Sequence, residues 1–525
     1  MLWPVRCPAV NRFEQPNTLT TKLPWTPRRS VGVLIVVTFV LRLCWAAGME
    51  LGNDEAYHYL YTVHPDWSFF DHPPMLMWVA SAGQAVCGGW LHPLSLRLGF
   101  VLLFAGSTWV LFDWTARWFG EPAGFYAALA LNLSAYYTAA AGAFVLPDGP
   151  FLFFALLTLR ALSEALFGTG RPIIAWVCVG LACAGAMASK YHGVLLPLGT
   201  LAYVIVTPRA WRVLRTPGPY LAALLAAGGL APVLIWNSRH DWASLAFQGG
   251  RAVGLQFSPA GLAIMIVGPI GYLLPWIWVP AVIVLGTRLR RFRELDGIER
   301  FLVCLSVVPL SLFFGVSCMR PILPHWPLIG FVPLFPLVGA LWAFNATRAP
   351  TLVKRWVVFM SAVVLVIAGL FFCQARFGVV DFPHRSDPAR EISGWESVGR
   401  ELAARGILDG PNTFLFTEHW YDSGQLAFSV RNRVPVTCYN NGDARGFAYW
   451  SRPDDWLGQD GVLVCVEETP NLETYGRYFR RVELLATFPM TRGGKPFRPV
   501  QVYLCSNQQQ PFPFAYGSGS PIETR

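Results

Sequence analysis

Apolar runs long enough to cross a bilayer recur along most of this chain, and they constrain its fold more than any other feature. The first, SVGVLIVVTFVLRLCWAAG at 30–48, is too long and too late for a typical cleaved signal peptide and reads as a spanning helix. Further runs lie near 94–112, 123–141, 144–160, 172–189, 191–207, 219–236, 260–286, 300–318, 326–345 and 355–374. The expectation is a polytopic α-helical membrane protein of about 11 transmembrane helices. Hydrophobic residues make up 54% of the 525 residues and charged residues only 14%, where soluble domains carry roughly a quarter charged. That excludes a soluble, disordered, collagen-like or coiled-coil protein.

The formal charge of +10 follows from topology. Basic residues are spread over short inter-helix loops, with no patch suited to nucleic acid. Residues 1–29, with Arg6, Arg12, Lys22, Arg28 and Arg29, read as a cytoplasmic segment. If so, the alternate loops facing the same way should be basic. They hold Arg209, Arg212 and Arg215, then Arg288, Arg290, Arg291, Arg293 and Arg300, then Arg348, Lys354 and Arg355. The opposite loops are poor in basic residues, and none occurs from Leu43 to Leu96. The membrane domain is therefore 30–375, with a first extracytoplasmic loop at about 49–93. An amphipathic segment within that loop, Pro74–Val86, is expected to lie in the interface.

An odd number of spans puts 376–507 outside the cytoplasm. The amphipathic stretch 395–406 reads as a helix, and 412–417, 434–439, 461–468 and 500–505 as strands, which is a small extracytoplasmic α/β domain. The tail 508–525 is expected to be disordered. Cys438, Cys465 and Cys505 fall in this domain, where one disulfide among them is allowed. The cysteines in or beside apolar runs are packing residues, and no CxxC pair marks a thiol–metal site.

The chemistry-bearing stretch is MELGNDEAYHYLYTVHPDWSFFDHPPMLMW at 49–78. It sets Glu50, Asp54, Glu55, Asp66 and Asp71 with His58, His64 and His72, without one basic residue. Carboxylates beside an apolar helix end bind protons more tightly unless paired or metal-bound, so Asp54 and Glu55 are candidates for a base or a metal-binding group. Asp71 and His72 precede two prolines that fix the backbone at a helix start. Other turns assigned to the same face carry Asp148, then Lys190 and His192, then Arg251, then Arg320 and His325. Charges at a lipid boundary are costly unless paired, hydrated or snorkelling. Their mixed sign suits a polar cavity for a substrate with a phosphate head and an apolar tail.

The ordered set NDEAYHY at 53–59, FFDHPPMLMW at 69–78, LRLGFVLLF at 96–104, LPDGPFLFFALL at 146–157, SKYHGVLLP at 189–197, PVLIWNSRHDWASLAFQ at 232–248 and RPILPHWP at 320–327 resembles bacterial glycosyltransferase family 39. The likeness is to its dolichyl-phosphate-mannose–protein mannosyltransferase-like, RgtA/B/C/D-like branch, and covers most of 30–375. The resemblance implies the GT-C fold, catalytic residues in extracytoplasmic loops and a polyprenyl-phosphate-linked sugar as donor. It maps the first-loop acid onto Asp54 and its acidic neighbour onto Glu55. Before the paired prolines the aminoarabinose transferase branch has Lys, associated with donor phosphate. Here His72 stands instead, which weakens the transfer of that role. A divalent metal near Asp54 or Glu55 is allowed, although no ligand spacing is diagnostic.

The resemblance implies sugar transfer by single displacement with inversion. The acceptor is a glycan, lipid or protein at the outer side of the bacterial cytoplasmic membrane. Asp54 would take or orient the acceptor proton, with Glu55 supporting it. Lys190, Arg320, Arg251 and His325 would neutralise the lipid phosphate, with Asp148, His192, His72 and Asp71 in the cavity. No P-loop or Rossmann fingerprint is present. The rival readings are a transporter or flippase of lipid-linked glycan and a polysaccharide polymerase or ligase.

Overall fold

The computed structural model describes residues 26–250, 257–514 and 516–517. Arg251, nearly all of the expected N-terminal segment and the last residues of the tail lie outside them. Helix α1 (Pro27–Gly48) starts at Thr26, whose hydroxyl accepts from the Arg29 backbone N–H, with Pro27 in its first turn. The loop that follows carries two short helices, α2 (Asn53–Val63) and α3 (Met75–Val86). α3 has 12 residues, about 18 Å, shorter than the roughly 30 Å of a bilayer's hydrocarbon core.

The bundle continues through α4 (Pro93–Phe119), α5 (Glu121–Asn132), α6 (Asp148–Phe167), α7 (Pro172–Ser189), α8 (Leu195–Val206), α9 (Gly218–Gly228) and α10 (Ala231–Arg239). After α11 (Ala243–Gly250) come α12 (Pro259–Leu273), α13 (Pro275–Arg290), α14 (Gly297–Met319), α15 (Phe335–Arg348) and α16 (Pro350–Phe377). Among the described residues, seven helices are long and apolar enough to cross a membrane alone, and three bent pairs raise the number to ten. Two of the bends, at Pro208 and Pro275, exceed 110°, at 117° and 120°, where proline removes a helix hydrogen bond.

The third of the eleven expected spans, 123–141, is a broken crossing and not one continuous helix, running from the Arg28–Glu121 end to Val145 beside Glu55. α5 stops at Asn132 and the chain passes through a π turn, Tyr137–Ala141. A buried polar knot replaces the lost helix bonds. Asn132 donates to Thr108 Oγ1 at 3.2 Å and to the Ala128 carbonyl at 2.9 Å. Its side-chain oxygen accepts from Arg42 at 3.2 Å, and its carbonyl accepts from the Thr138 hydroxyl at 2.8 Å. The Arg42 guanidinium lies 4.2 Å over the Phe104 ring.

The bundle has two unlike ends. At one, Arg28–Glu121 (2.8 Å), Arg117–Glu164 (3.1 Å) and Arg288–Glu299 (2.9 Å) tie helix termini together. The other carries the α1–α4 loop, the α5–α6 connection, Lys190 and the C-terminal domain.

That domain contains α17 (Trp395–Ala404), β1 (Thr413–Thr417), α18 (Trp420–Ser429), β2 (Val436–Cys438), β3 (Asp460–Val466), β4 (Phe479–Arg492) and β5 (Lys495–Gln508). The strand order is β2-β1-β3-β5-β4. β1 runs parallel to β2 and β3, and β5 antiparallel to β3 and β4. The expected helix and four strands are present, and β4 is an addition. It joins β5 through Gly493-Gly494, both at positive φ (56° and 79°), a backbone glycine adopts without strain.

Period-2 alternation gives the sheet two apolar faces. Leu415, Val462, Val464, Val500 and Val502 pack with Trp395, Val398 and Leu426. Phe414, Phe416, Leu463 and Tyr503 share a core with Tyr57, Leu60 and Tyr61 of α2 and Phe100 of α4. The domain therefore sits on the first loop as part of one core. At Gly424 of α18 an added Cβ would lie 2.7 Å from the Tyr57 backbone nitrogen, so the two helices touch backbone to backbone.

The disulfide left open by the sequence is absent among the described residues, and the expected disorder of the tail is corrected in part. Cys438, Cys465 and Cys505 are free thiols, all buried. Cys505 stands opposite Gly461, four residues from Cys465 along β3 and so about 13 Å away, beyond disulfide reach. The described part of the tail packs: Phe512 stacks on Tyr439 at 4.2 Å and Tyr516 on Phe70 at 4.8 Å.

Candidate active site

The first turn of α2 is held by one buried ion pair. Arg97 of α4 donates Nε to Glu55 Oε1 at 2.8 Å and a terminal N–H to Oε2 at 2.6 Å. Its remaining donors reach the carbonyls of Ala46 (3.0 Å), Met49 (2.9 Å) and Glu50 (2.7 Å), which α1 leaves open at its end. All five guanidinium N–H groups are thus used. Glu55 also accepts from the backbone N–H of Gly52 and of Val145, both at 2.9 Å. Arg97 and Glu55 are 1% and 3% exposed. With four donors on its oxygens, Glu55 is a clamp between α1, α2, α4 and the α5–α6 connection. That geometry does not leave it free as a base or metal ligand.

Asp54, its neighbour, is exposed. Among the described residues no donor engages its carboxylate. The other acids of the loop all have partners. Glu50 accepts from the Gly394 and Glu396 N–H groups at 3.0 and 3.1 Å, and Asp66 from the Trp67 N–H at 2.7 Å. Burial, reinforced by Glu396, pushes the Glu50 carboxyl up to about 7, against the opposing backbone N–H bonds.

One turn after Asp54, on the same face of α2, lies His58. Its Nδ1 is 2.8 Å from the Val145 carbonyl. A carbonyl only accepts, so Nδ1 carries the proton of this hydrogen bond. The His72 ring stands 5.1 Å away, nearly perpendicular. Burial pushes His72 down to about 3, despite the neighbouring Asp71 carboxylate, so the ring is neutral at pH 7.

Asp71 is a strut. It accepts from Tyr57 at 3.2 Å, from Tyr61, and from Arg445 of the C-terminal domain at 3.2 Å. Burial alone would raise its pKa, but the His72 and Arg445 neighbours and the Tyr61 hydroxyl bring it below the usual carboxylate range. Gln248 donates to the Asp71 carbonyl at 2.7 Å. Arg445 also meets Asp443 at 3.0 Å and lies 4.7 Å over the Trp420 ring. The Gly446 N–H donates to Tyr57 at 3.0 Å.

Val145 links this cluster to a second pair. Three residues on, Asp148 opens α6 and accepts from Lys190 Nζ at 2.7 Å. Lys190 directly follows α7. A carboxylate at a helix N-terminus and an ammonium at a helix C-terminus are each favoured by the helix dipole. The two side chains are 13% and 10% exposed. They line a cavity of about 20 Å³ with Tyr136, Tyr137, His192 and His325. Tyr137 is fixed by its hydroxyl on the Leu328 carbonyl at 2.8 Å, and His325 stacks on Tyr136 at 5.7 Å.

Lys190, Asp148, His192 and His325 therefore come together as the sequence suggested, and His72 and Asp71 join His58. Arg320 does not line that cavity; it donates to the Gly250 carbonyl at 2.5 Å. Arg97, Tyr61, Tyr136 and Arg445 were not singled out by sequence. Among the described residues no group of three or more His, Cys, Asp or Glu could hold a metal ion.

A helical membrane bundle with its polar loops gathered at one end, under a small α/β domain, is the GT-C glycosyltransferase architecture, and this chain is a polytopic membrane protein of that fold. ArnT from Cupriavidus metallidurans superposes in its apo state with a TM-score of 0.59 at 17% identity, over 91% of this chain and 98% of that one. The same protein bound to undecaprenyl phosphate gives 0.61 at 18%, over 90% and 97%. The family model described as dolichyl-phosphate-mannose-protein mannosyltransferase matches residues 71–236. The lipid A galacturonosyltransferase RgtD of Rhizobium johnstonii is 24% identical over 529 residues, covering 90% of this chain and 98% of that protein.

Proposed function

We propose that the protein transfers a sugar from a polyprenyl-phosphate donor to an envelope glycan, lipid or protein acceptor at the outer face of the bacterial cytoplasmic membrane. The observation that carries this reading is the division of labour among the acids at one end of the bundle. Glu50, Glu55, Asp71 and Asp148 are each held by donors, whereas Asp54 is exposed and no donor among the described residues engages it, and the same end of the bundle holds a buried cation, Lys190. A reactive carboxylate and a phosphate-binding ammonium are the two groups such a transfer needs. The relatives support it: ArnT binds undecaprenyl phosphate and RgtD is a galacturonosyltransferase of lipid A.

Asp54 takes the proton of the acceptor hydroxyl as its oxygen attacks the anomeric carbon from the face opposite the phosphate. The bond from that carbon to the phosphate oxygen breaks, and the lipid phosphate leaves with the electron pair. Lys190 neutralises it, exchanging Asp148 for phosphate. Glu55 and Arg97 position Asp54 through the first turn of α2. The Arg-rich loops at the end opposite the C-terminal domain favour a cytoplasmic N terminus and an extracytoplasmic domain.

The test is reconstitution in liposomes with radiolabelled polyprenyl-phosphate sugars and envelope acceptors. Label should move to the acceptor with release of polyprenyl phosphate, and Lys190→Met should raise the KM for donor. Movement of intact lipid-linked sugar across the bilayer without transfer would replace this reading with a flippase.

A further inference from the structure

A second cavity, of about 300 Å³, lies between the first loop, the end of α10 and the C-terminal domain. None of the side chains assigned to the donor phosphate lines it. Its walls are aromatic and arranged as platforms. Trp236 stacks on His240 at 4.1 Å and 16°, with Tyr449 edge-on to Trp236 at 5.2 Å. Trp450 stacks on His64 at 5.0 Å and 11°. The exposed Asp66 carboxylate adds a hydrogen-bond acceptor at the rim.

The charges narrow the ligand. Among the described residues no Lys or Arg lines the cavity. Arg445, next to the lining Gly446, is held by Asp71 and Asp443. A phosphate or carboxylate would meet Asp66, with no cation among the described lining residues to offset it. Stacked indole–imidazole pairs, a tyrosine and a carboxylate at the rim suit a pyranose ring, whose C–H face packs on flat rings while its hydroxyl or amino groups hydrogen-bond. The volume is at the lower end of small-ligand sites, about 300–1,000 Å³, which fits a sugar ring and not a lipid tail.

Position narrows the role. The lining residue Phe69 stacks on Tyr61 at 3.8 Å, and Tyr61 holds Asp71 next to His72. One aromatic layer therefore separates this cavity from the His58–His72 cluster. The donor's phosphate has its cation at Lys190, elsewhere. We propose that this cavity holds the acceptor, through a neutral or amino-substituted pyranose ring of an envelope glycan or glycolipid. The assignment to acceptor rests on the transferase reading above.

Saturation-transfer NMR on the full chain in lipid nanodiscs, with glucosamine, glucose and glucose 1-phosphate as probes, tests the cavity itself. Glucosamine and glucose should take up saturation and glucose 1-phosphate should not. Tyr449→Leu should weaken both sugars, and Asp66→Asn glucosamine selectively, each by about tenfold, as expected for 1.4 kcal/mol. No uptake by any probe, equal uptake of the phosphate, or insensitivity to both variants would overturn the assignment. Transfer kinetics test the role. Tyr449→Leu should raise the KM for acceptor about tenfold and leave that for donor unchanged; the reverse pattern makes this the donor-sugar site and overturns the proposal. If the wild-type chain transfers nothing, the transferase reading fails and takes the acceptor role with it, while the NMR arm still reports on sugar binding.

Discussion

Glu55→Gln separates two roles that adjacent acids could exchange. The substitution keeps the shape of the side chain and removes one charge from a pair that is 3% and 1% exposed. Arg97 would then be a buried cation with three carbonyls and an amide but no counter-charge. Breaking a buried pair from one side costs about 3–5 kcal/mol. That is a large share of a total stability of about 5–15 kcal/mol, and roughly two to four powers of ten in the folded ratio. The assay is unfolding by SDS titration in mixed micelles, followed by tryptophan fluorescence. Glu55→Gln should unfold at a clearly lower SDS fraction. The double variant Glu55→Gln/Arg97→Met, which leaves no orphan charge, should recover much of the loss. A Glu55→Gln protein as stable as wild type but devoid of transfer would refute the clamp and return this carboxylate to the chemistry.

Other outcomes follow from the same contacts. Arg445→Met leaves Asp71 buried with only tyrosine hydroxyls and should raise its proton affinity; transfer should fall and limited proteolysis should release the C-terminal domain faster, whereas Arg445→Lys should restore only part, lacking the guanidinium fork. Gly424→Ala puts a methyl group 2.7 Å from the Tyr57 nitrogen and should cost about 1–3 kcal/mol as an overpacked contact, read in the same SDS titration. Glu50 binds its proton more tightly folded, at about 7 against an ordinary 4.5. Its contribution to stability is therefore full below about 4.5 and lost as pH rises through 7, and Glu50→Gln should flatten the stability curve across that window. Lys190→Met should raise the donor KM without changing the acceptor KM, and Lys190→Arg should restore part of donor binding.

What the sequence revealed depended on how local the information was. Spans, the short helix α3 and four of the five strands are written in runs of consecutive residues. The Arg clusters placed the loops at two ends because each loop is short. The role of Glu55 was hidden because Arg97 lies 42 residues away on another helix. Asp71 and Arg445 are separated by 374. β4 escaped because it is an edge strand with little clean alternation, and Gly493-Gly494 was the available sign of a hairpin. The break after α5 also had a sign: Asn132, Ser134 and Thr138 interrupt a largely apolar stretch, where their polar groups need partners. Arg320 was grouped with Lys190 by topology, but sharing a membrane face does not bring two side chains to one cavity.

The most direct test of the central claim is transfer by Asp54→Asn against wild type, in liposomes holding equal amounts of folded protein and the same labelled polyprenyl-phosphate sugar and acceptor. Asp54 has no structural partner among the described residues, so the variant should unfold at the wild-type SDS fraction and lose transfer by about a hundredfold or more, the scale of a missing general base. Transfer at the wild-type rate by the folded variant would contradict the account.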